Sequence, residues 1–378
     1  MASIRKRIRD NGAETWVVDY YDQHGKRHLK TFDTKKAAID WRVQTQAEVR
    51  DGIHTPERDS VTVAEAAVTW LRRCETEGLE RSTVQHYRIH VDKHIVPRIG
   101  RLKLAKLSAP MIEEFRDRLV KDHSKPYARK ILVSLKSILK EAFRRGLVSQ
   151  NVAISATIVK RDRDTHDLQG GRDFPSTEEV NQIINGASGR WRPLLITAIF
   201  TGMRSSELRG LTWEAVDFAA RKIHVRQRAD VWNVMGAPKS KRGRRAIPMS
   251  PMVFNTLREW KLACPRGSLG IVFPNKSGNV ESHANIVSRG FQPLQAALGM
   301  VADGKPKYGL HALRHFFASW MFAQGHQPEN VQLWLGHSSL NVTLEVYRHL
   351  IPGNEARDQE LFADAERALL ATGKRPTD

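Results

Sequence analysis

Between Gly309 and Ser319 the chain reads Gly-Leu-His-Ala-Leu-Arg-His-Phe-Phe-Ala-Ser. Leu313, Phe316, Phe317, Trp320 and Met321 recur there at the spacing of a buried helix, yet His311, Arg314 and His315 ride on the same segment. Burying imidazole and guanidinium groups is costly unless each finds a partner. An anionic ligand supplies one. Arg matches two oxygens of a phosphate, His donates a hydrogen bond or moves a proton near neutrality, and a Tyr hydroxyl becomes a nucleophile when its anion is stabilised. With Leu335-Gly336-His337 and Tyr347 following, these groups point to phosphoryl transfer through a tyrosine. A second His-x-x-Arg, from His24 to Arg27, lies in a turn-like stretch around Gly25 and carries no such meaning.

The whole chain is strongly basic. Its 378 residues carry 61 Lys plus Arg against 41 Asp plus Glu, a formal net charge of +20. A field of that sign favours nucleic acid as partner. No apolar run reaches the length of a spanning helix, and the N-terminus lacks the apolar core of a signal peptide, which excludes a membrane protein. Cys74 and Cys264 are too few for a disulfide framework or a cysteine-based zinc site. The expectation is a soluble intracellular protein.

The periodicity predicts a mainly α chain with small β-sheets, an α+β class. Residues 1–55 read as a small module: Thr15–Tyr21 and His28–Phe32 as strands about a turn at Asp22–Gly25, with Ser3–Arg9 as a third strand. Thr34 caps a following helix in which Ala38, Trp41, Thr45 and Val49 recur. Arg5, Lys6, Arg7, Arg9, Lys26, Arg27 and Lys30 cluster on those strands, either as a solvated face or as a sheet that enters a DNA groove. A linker opens after Gly52.

Residues 61–150 read as an all-helical domain. Thr62 to Glu65 forms a capping box, Ser82 can cap a second helix, Pro110 opens a third, and Ile131, Leu132, Leu135, Ile138, Leu139, Ala142 and Phe143 make the apolar face of a fourth that Gly146 stops. Residues 151–175 read as a linker, and Ser176 to Glu179 is a second capping box. Pro193 to Phe200, nearly uninterrupted in apolar character, is a buried helix, and Gly202 turns the chain into a short helix headed by Arg204. Glu207, one turn on, either makes a surface ion pair or holds the backbone or guanidinium of Arg204. Lys222–Gln227 reads as a strand whose partner returns at Ala246–Pro248. The five cations from Lys239 to Arg245 repel one another unless an anion such as DNA backbone lies across them.

Thr201-Gly-Met-Arg204-x-x-Glu207-Leu-x-x-Leu-x-Trp213, the hairpin lysine, His311-x-x-Arg314, Leu335-Gly336-His337 and Tyr347 together resemble the tyrosine recombinases in order and spacing. The resemblance covers residues 172–350 as a mixed α/β catalytic domain. Upstream, residues 61–150 resemble the core-site-binding domain of that family, and residues 1–55 the arm-site-binding module of phage-type integrases.

The resemblance implies a site-specific DNA recombinase. Arg204 and Arg314 would clamp the scissile phosphate, His311 and His337 would complete the cradle, Lys239 would protonate the leaving 5′ oxygen, and Tyr347 would attack phosphorus. Lys241, one strand repeat from Lys239, is the alternative hairpin lysine. No metal or nucleotide cofactor is implied. The implied partners are double-stranded DNA with core and arm-type sites, three further copies in a homotetramer, and accessory DNA-bending and directionality proteins. The implied setting is the nucleoid in the cytoplasm of a bacterial host.

Ala312 stands where many members carry Asp, and Phe316 where Thr is common, so the support of Arg314 is expected to differ. His315 and His349 are read as structural or DNA-contacting. Residues 351–378 carry Leu361, Phe362, Ala365, Ala368 and Leu369 at helical spacing, a tail expected to dock on a neighbouring protomer. The rival readings are a type IB topoisomerase-like enzyme, a catalytically inactive DNA-binding relative, and a metal hydrolase built on His311, His315 and His337, for which no carboxylate falls at ligand spacing.

Overall fold

The computed structural model describes residues 3–10, 12–51, 54, 56, 59–159, 168–238, 240–337, 339–340 and 367. It divides into two compact units, Met1–Asp164 and Thr165–Asp378.

The first unit opens with an antiparallel sheet of β1 (Ser3–Ile8), β2 (Glu14–Tyr21) and β3 (Arg27–Phe32), in that order. Helix α1 (Lys35–Arg50) follows, its first turn closed by the Thr34 hydroxyl accepting from the Ala37 amide. Strand residues alternate between faces. Ile4, Trp16, Val18, Tyr20 and Phe32 therefore pack against Ala38 and Trp41 of α1, and Arg5, Arg7 and Arg27 fall on the opposite face. His54, in the stretch read as linker, is buried. Its ring lies between the Tyr20 hydroxyl at 2.9 Å and the Glu48 carboxylate at 3.0 Å.

The rest of this unit is helical: α2 (Val63–Thr76), α3 (Arg81–Ile89), α4 (Val96–Ile99), α5 (Ala109–Asp122) and α6 (Lys125–Arg144). The Thr62–Glu65 capping box is present in both directions. Ser82 does not cap α3, which starts one residue earlier at Arg81 with no side-chain cap. A single π-helical turn, His90–Ile95, joins α3 to α4 just ahead of Pro97. Proline has no amide hydrogen to continue the ladder. Arg98 takes over, its Nη1 donating to the Lys93 carbonyl, four residues before Pro97, at 3.5 Å and to the His94 carbonyl at 3.2 Å.

Helix α6 is the spine of the bundle. Ile131, Leu132, Leu135, Ile138, Leu139 and Ala142 are at most 2% exposed, and full burial of each larger aliphatic contributes about 1.5–3 kcal/mol. Phe143 does not join them; it is 51% exposed. It stands at the edge of the apolar stripe, in the last turn of the helix. Gly146, at φ 70°, ends the helix in a left-handed cap with Gly146 N donating to Phe143 O and Leu147 N to Ala142 O.

The second unit is built around α8 (Trp191–Thr201), preceded by α7 (Thr177–Gly186) with its Ser176–Glu179 capping box. Leu194, Leu195, Ile196, Ala198 and Ile199 bury every side of α8, as a helix without a polar face must. The short α9 (Ser205–Arg209) follows. Next come β4 (Val216–Asp217), β5 (Lys222–Val225), β6 (Arg228–Ala229), β7 (Met235–Gly236) and β8 (Arg245–Pro248). Strands β4, β5 and β8 form one sheet, and β6 and β7 a separate hairpin inside what the sequence reads as a single connection. Then follow α10 (Pro251–Ala263), α11 (His283–Asn285), α12 (Gln292–Ala297), α13 (Ala312–Ala323) and α14 (Pro328–Leu335). Helices α10 and α13 flank α8, while α14 touches both α13 and β8. Among the described residues no helix is long and apolar enough to cross a membrane.

The turn from α8 to α9 is possible only because of Gly202. Its φ is 58°, and a Cβ there would stand 2.4 Å from Cδ1 of Phe317 on α13. Gly202→Ala combines a left-handed alanine, costing about 1–2 kcal/mol, with this overlap, costing about 1–3 kcal/mol more. The expected loss of about 2 kcal/mol or more is read as a lowered midpoint in urea or thermal unfolding; an unchanged midpoint would show that the turn does not need glycine.

Candidate active site

Four of the residues singled out from sequence meet where α8, α9, α13 and α14 end or begin. Arg204 precedes α9, His311 precedes α13, Arg314 lies in the first turn of α13, and His337 follows α14. Lys239 and Tyr347 lie outside the described residues, as do His349 and, Arg367 excepted, the tail expected to dock on a neighbour; so does the side chain of Lys241.

Arg314 is 3% exposed. Its Nη1 donates to the Gly202 carbonyl at 2.7 Å and its Nη2 to the Leu335 carbonyl at 2.8 Å. Its support thus includes backbone at positions fixed by glycine turns, for Gly336 is also left-handed with φ 66°. The neighbours Ala312 and Phe316 are buried apolar groups, Phe316 stacking on Trp320 with ring centroids 6.3 Å apart.

Arg204 is more open, its side chain 37% exposed. It donates from Nη2 to the Gly336 carbonyl at 3.1 Å and from Nη1 to Glu207 at 3.0 Å, while the Glu207 carboxylate also accepts from the Arg204 amide at 2.9 Å. Glu207 is not a surface ion pair. It is 3% exposed, and its two oxygens accept from Nη1 and Nη2 of Arg245 at 3.0 and 2.8 Å. Burial acts to raise the Glu207 pKa, but the bonds and charge of Arg245, with the Arg204 amide and charge, hold it below the usual carboxylate range.

Arg245 is the residue that sequence reading misplaced. It is the last of the five cations expected to face an anion, yet its side chain is wholly buried. Besides Glu207 it donates to the Trp334 carbonyl at 2.5 Å and the Gly243 carbonyl at 3.0 Å. The signal was present in the two-residue period of β8, where Arg245 and Ile247 share the inward face.

The imidazoles are kept neutral. His311, open to solvent on one side, is held below the usual range by the protein packed around it and then by the charges of Arg314 and Arg204. His337 is lowered to about 3 by burial first, then by Arg314, Arg204, Arg245 and His311. His315, edge-on to His311 with centroids 4.9 Å apart, is lowered to about 4 by burial, His311 and Arg314. A neutral imidazole offers one donor and one acceptor. The site therefore has two guanidiniums and at least two groups able to take or give a proton. Among the described residues no three His, Cys, Asp or Glu side chains are arranged to hold a metal ion.

This polar cradle lies in a mostly helical unit with small antiparallel sheets, the fold class of the tyrosine recombinases. Residues 175–353 match the model of the phage integrase family, and this part of the chain belongs to that family. Site-specific recombination is its class of activity. A tyrosine recombinase XerC-like protein of Caldanaerobacter subterraneus subsp. tengcongensis is 25% identical over 94% of this chain and 97% of its own length. Among solved structures, the Tn1549 transposon integrase in complex with transposon right end DNA aligns over 76% of this chain and 95% of its own, with TM-score 0.64 and 19% identity. A lambda integrase tetramer bound to a Holliday junction aligns over 88% and 95%, with TM-score 0.59 and 20% identity. The likeness to these two is one of fold.

The depressed histidine pKa values set a direction for acid stability. In the unfolded chain these rings titrate near 6.5, in the fold near 3 for His337 and near 4 for His315. Their contribution is complete above pH 6.5 and is lost as the pH falls toward 4, because the unfolded chain takes up protons the folded one refuses. Each histidine contributes at most about 1.4 kcal/mol per pH unit. Melting temperatures from pH 7.5 to 4.5 at constant ionic strength should fall, and His337→Gln should show the shallower slope; equal slopes would mean that His337 is not held neutral.

Proposed function

We propose that this recombinase cuts and rejoins double-stranded DNA through a phosphotyrosyl intermediate on Tyr347. The observation that carries the reading is the pair Arg204 and Arg314, anchored on the adjacent Gly336 and Leu335 carbonyls, with His311 and His337 beside them, both held below the usual imidazole pKa. In this reading both guanidiniums hold non-bridging oxygens of one phosphodiester and neutralise charge that grows as phosphorus becomes five-coordinate. The Tyr347 oxygen attacks phosphorus and gives up its proton to one of the histidines. The bond from phosphorus to the 5′ oxygen breaks, and that oxygen takes a proton from Lys239, or from Lys241 in the alternative assignment. The 3′ end stays esterified to Tyr347, so the bond energy is kept. A 5′ hydroxyl of the exchanged strand then reverses the sequence and releases the tyrosine.

The remaining assignments belong to the same reading. Residues 1–55 serve as arm-site reader, residues 61–150 as core-site binder, residues 172–350 as catalytic domain, and residues 351–378 as the segment that meets a neighbouring protomer. Arg5 and Arg7 on the sheet face that α1 leaves uncovered support the first of these. The likeness to a lambda integrase tetramer on a Holliday junction supports a tetramer working on DNA. The transposon named with the Tn1549 integrase supports integration and excision of a mobile element; accessory DNA-bending and directionality proteins and a setting in the bacterial nucleoid complete the reading.

Tyr347→Phe removes only the nucleophilic oxygen. It should bind a core-site duplex as wild type does and form no covalent adduct on a duplex nicked beside the cleavage point, where wild type does so even in chelator; an adduct in the Phe variant would sink the assignment. Deleting residues 1–55 should leave that cleavage intact and abolish recombination between long substrates carrying arm sites, because tethering two DNA readers is what bridges distant sites. If the truncated protein recombines long DNA as well as the full chain, the module does not read arm sites.

A further inference from the structure

Arg242 and Arg244 lie open to solvent, whereas Arg245, next in the chain, has no exposed side-chain surface. It therefore cannot touch DNA, and whatever it does passes through the groups it bonds. The chief of these is Glu207. An ionised carboxylate has about four acceptor positions. Here they meet four donors: the Arg204 amide, Arg204 Nη1, and Nη1 and Nη2 of Arg245. Arg245 fills the inner half, so Arg204 gives the carboxylate only one of its guanidinium nitrogens and keeps another on the Gly336 carbonyl.

Removing Arg245 would change that balance. A buried carboxylate would lose its two-point partner, and the planar fork of Arg204 is the nearest group able to replace it in the same two-point geometry. Drawn inward, Arg204 would leave both Gly336 and the position from which its partly exposed face meets a ligand. We propose that Arg245 is a positioning residue for strand cleavage: by occupying the inner half of the Glu207 carboxylate it keeps Arg204 directed at the scissile phosphate. The inference rests on the reading of Arg204 as a phosphate clamp. The bond from Arg245 to the Trp334 carbonyl adds a second effect of the same kind, fixing the chain just ahead of His337.

The test is single-turnover cleavage of a nicked core-site duplex at saturating protein, below the melting transition of each variant, for wild type, Arg204→Ala, Arg245→Met, Arg245→Lys and the double variant Arg245→Met with Glu207→Gln. Each is assayed on the natural phosphate and on a methylphosphonate, whose reacting group carries one negative charge fewer. Arg245→Met should cleave the natural substrate roughly 100-fold more slowly, the loss expected for one misplaced oxyanion donor, with duplex affinity unchanged. On the methylphosphonate the deficit of Arg245→Met and of Arg204→Ala should shrink together, because less charge is left to neutralise. Adding Glu207→Gln should regain part of that loss, since a neutral amide no longer pulls Arg204 inward. Arg245→Lys keeps the charge but one point of contact, and should show a smaller deficit with the same substrate dependence; it carries the test where the methionine variant does not fold. A deficit equal on both substrates, or a double variant no faster than Arg245→Met, overturns the inference and leaves Arg245 as packing alone. Absence of an adduct in wild type overturns the functional reading itself, and this inference with it.

Discussion

Three consecutive carbonyls at the end of α14 are received by three arginines from three other parts of the unit. Trp334 bonds Arg245 of β8, Leu335 bonds Arg314 of α13, and Gly336 bonds Arg204 at the head of α9. The last carbonyls of a helix have no partner within it and carry its negative end, so cations there satisfy both a hydrogen-bonding and an electrostatic need. The arginines are fixed in return. One buried helix terminus thus sets the spacing of the two guanidiniums that define the site, and it does so with backbone atoms whose positions the rest of the core determines.

That arrangement explains why cations can crowd here without driving the unit apart. Arg204 and Arg245 converge on a single carboxylate, Glu207, and all three arginines on oriented peptide carbonyls. The imidazoles beside them are held below their usual pKa first by burial and then by the positive charge that remains; in the proposed reading that charge is what a phosphodiester would neutralise.

Much of this was legible in the residues. Polar groups on an otherwise apolar segment at 311–315 marked the site, the run from Pro193 to Phe200 marked the central helix, and Gly202 with Glu207 three residues beyond Arg204 marked the turn and its brace. Capping boxes at Thr62 and Ser176 placed two helix starts correctly because a cap is a contact between residues three apart. What was missed depends on residues far apart in sequence. The burial of Arg245 is decided by Glu207 and Trp334, and that of His54 by Tyr20 and Glu48. Ser82 and Phe143 failed for a local reason: α3 begins two residues before a cap at Ser82 would start it, and Phe143 stands at the edge of its stripe in the last turn of α6.

The glycine turn after α14 has a consequence for how this chain can change. Anchors that grip peptide oxygens are indifferent to which side chains those peptides carry, so substitutions at 334 and 335 are judged by packing alone. The count of residues is another matter. One residue inserted or removed between Pro328 and His337 would present each arginine with the wrong peptide and rotate every later position by about 100°. In this segment length is the inherited quantity, and composition is comparatively free to drift.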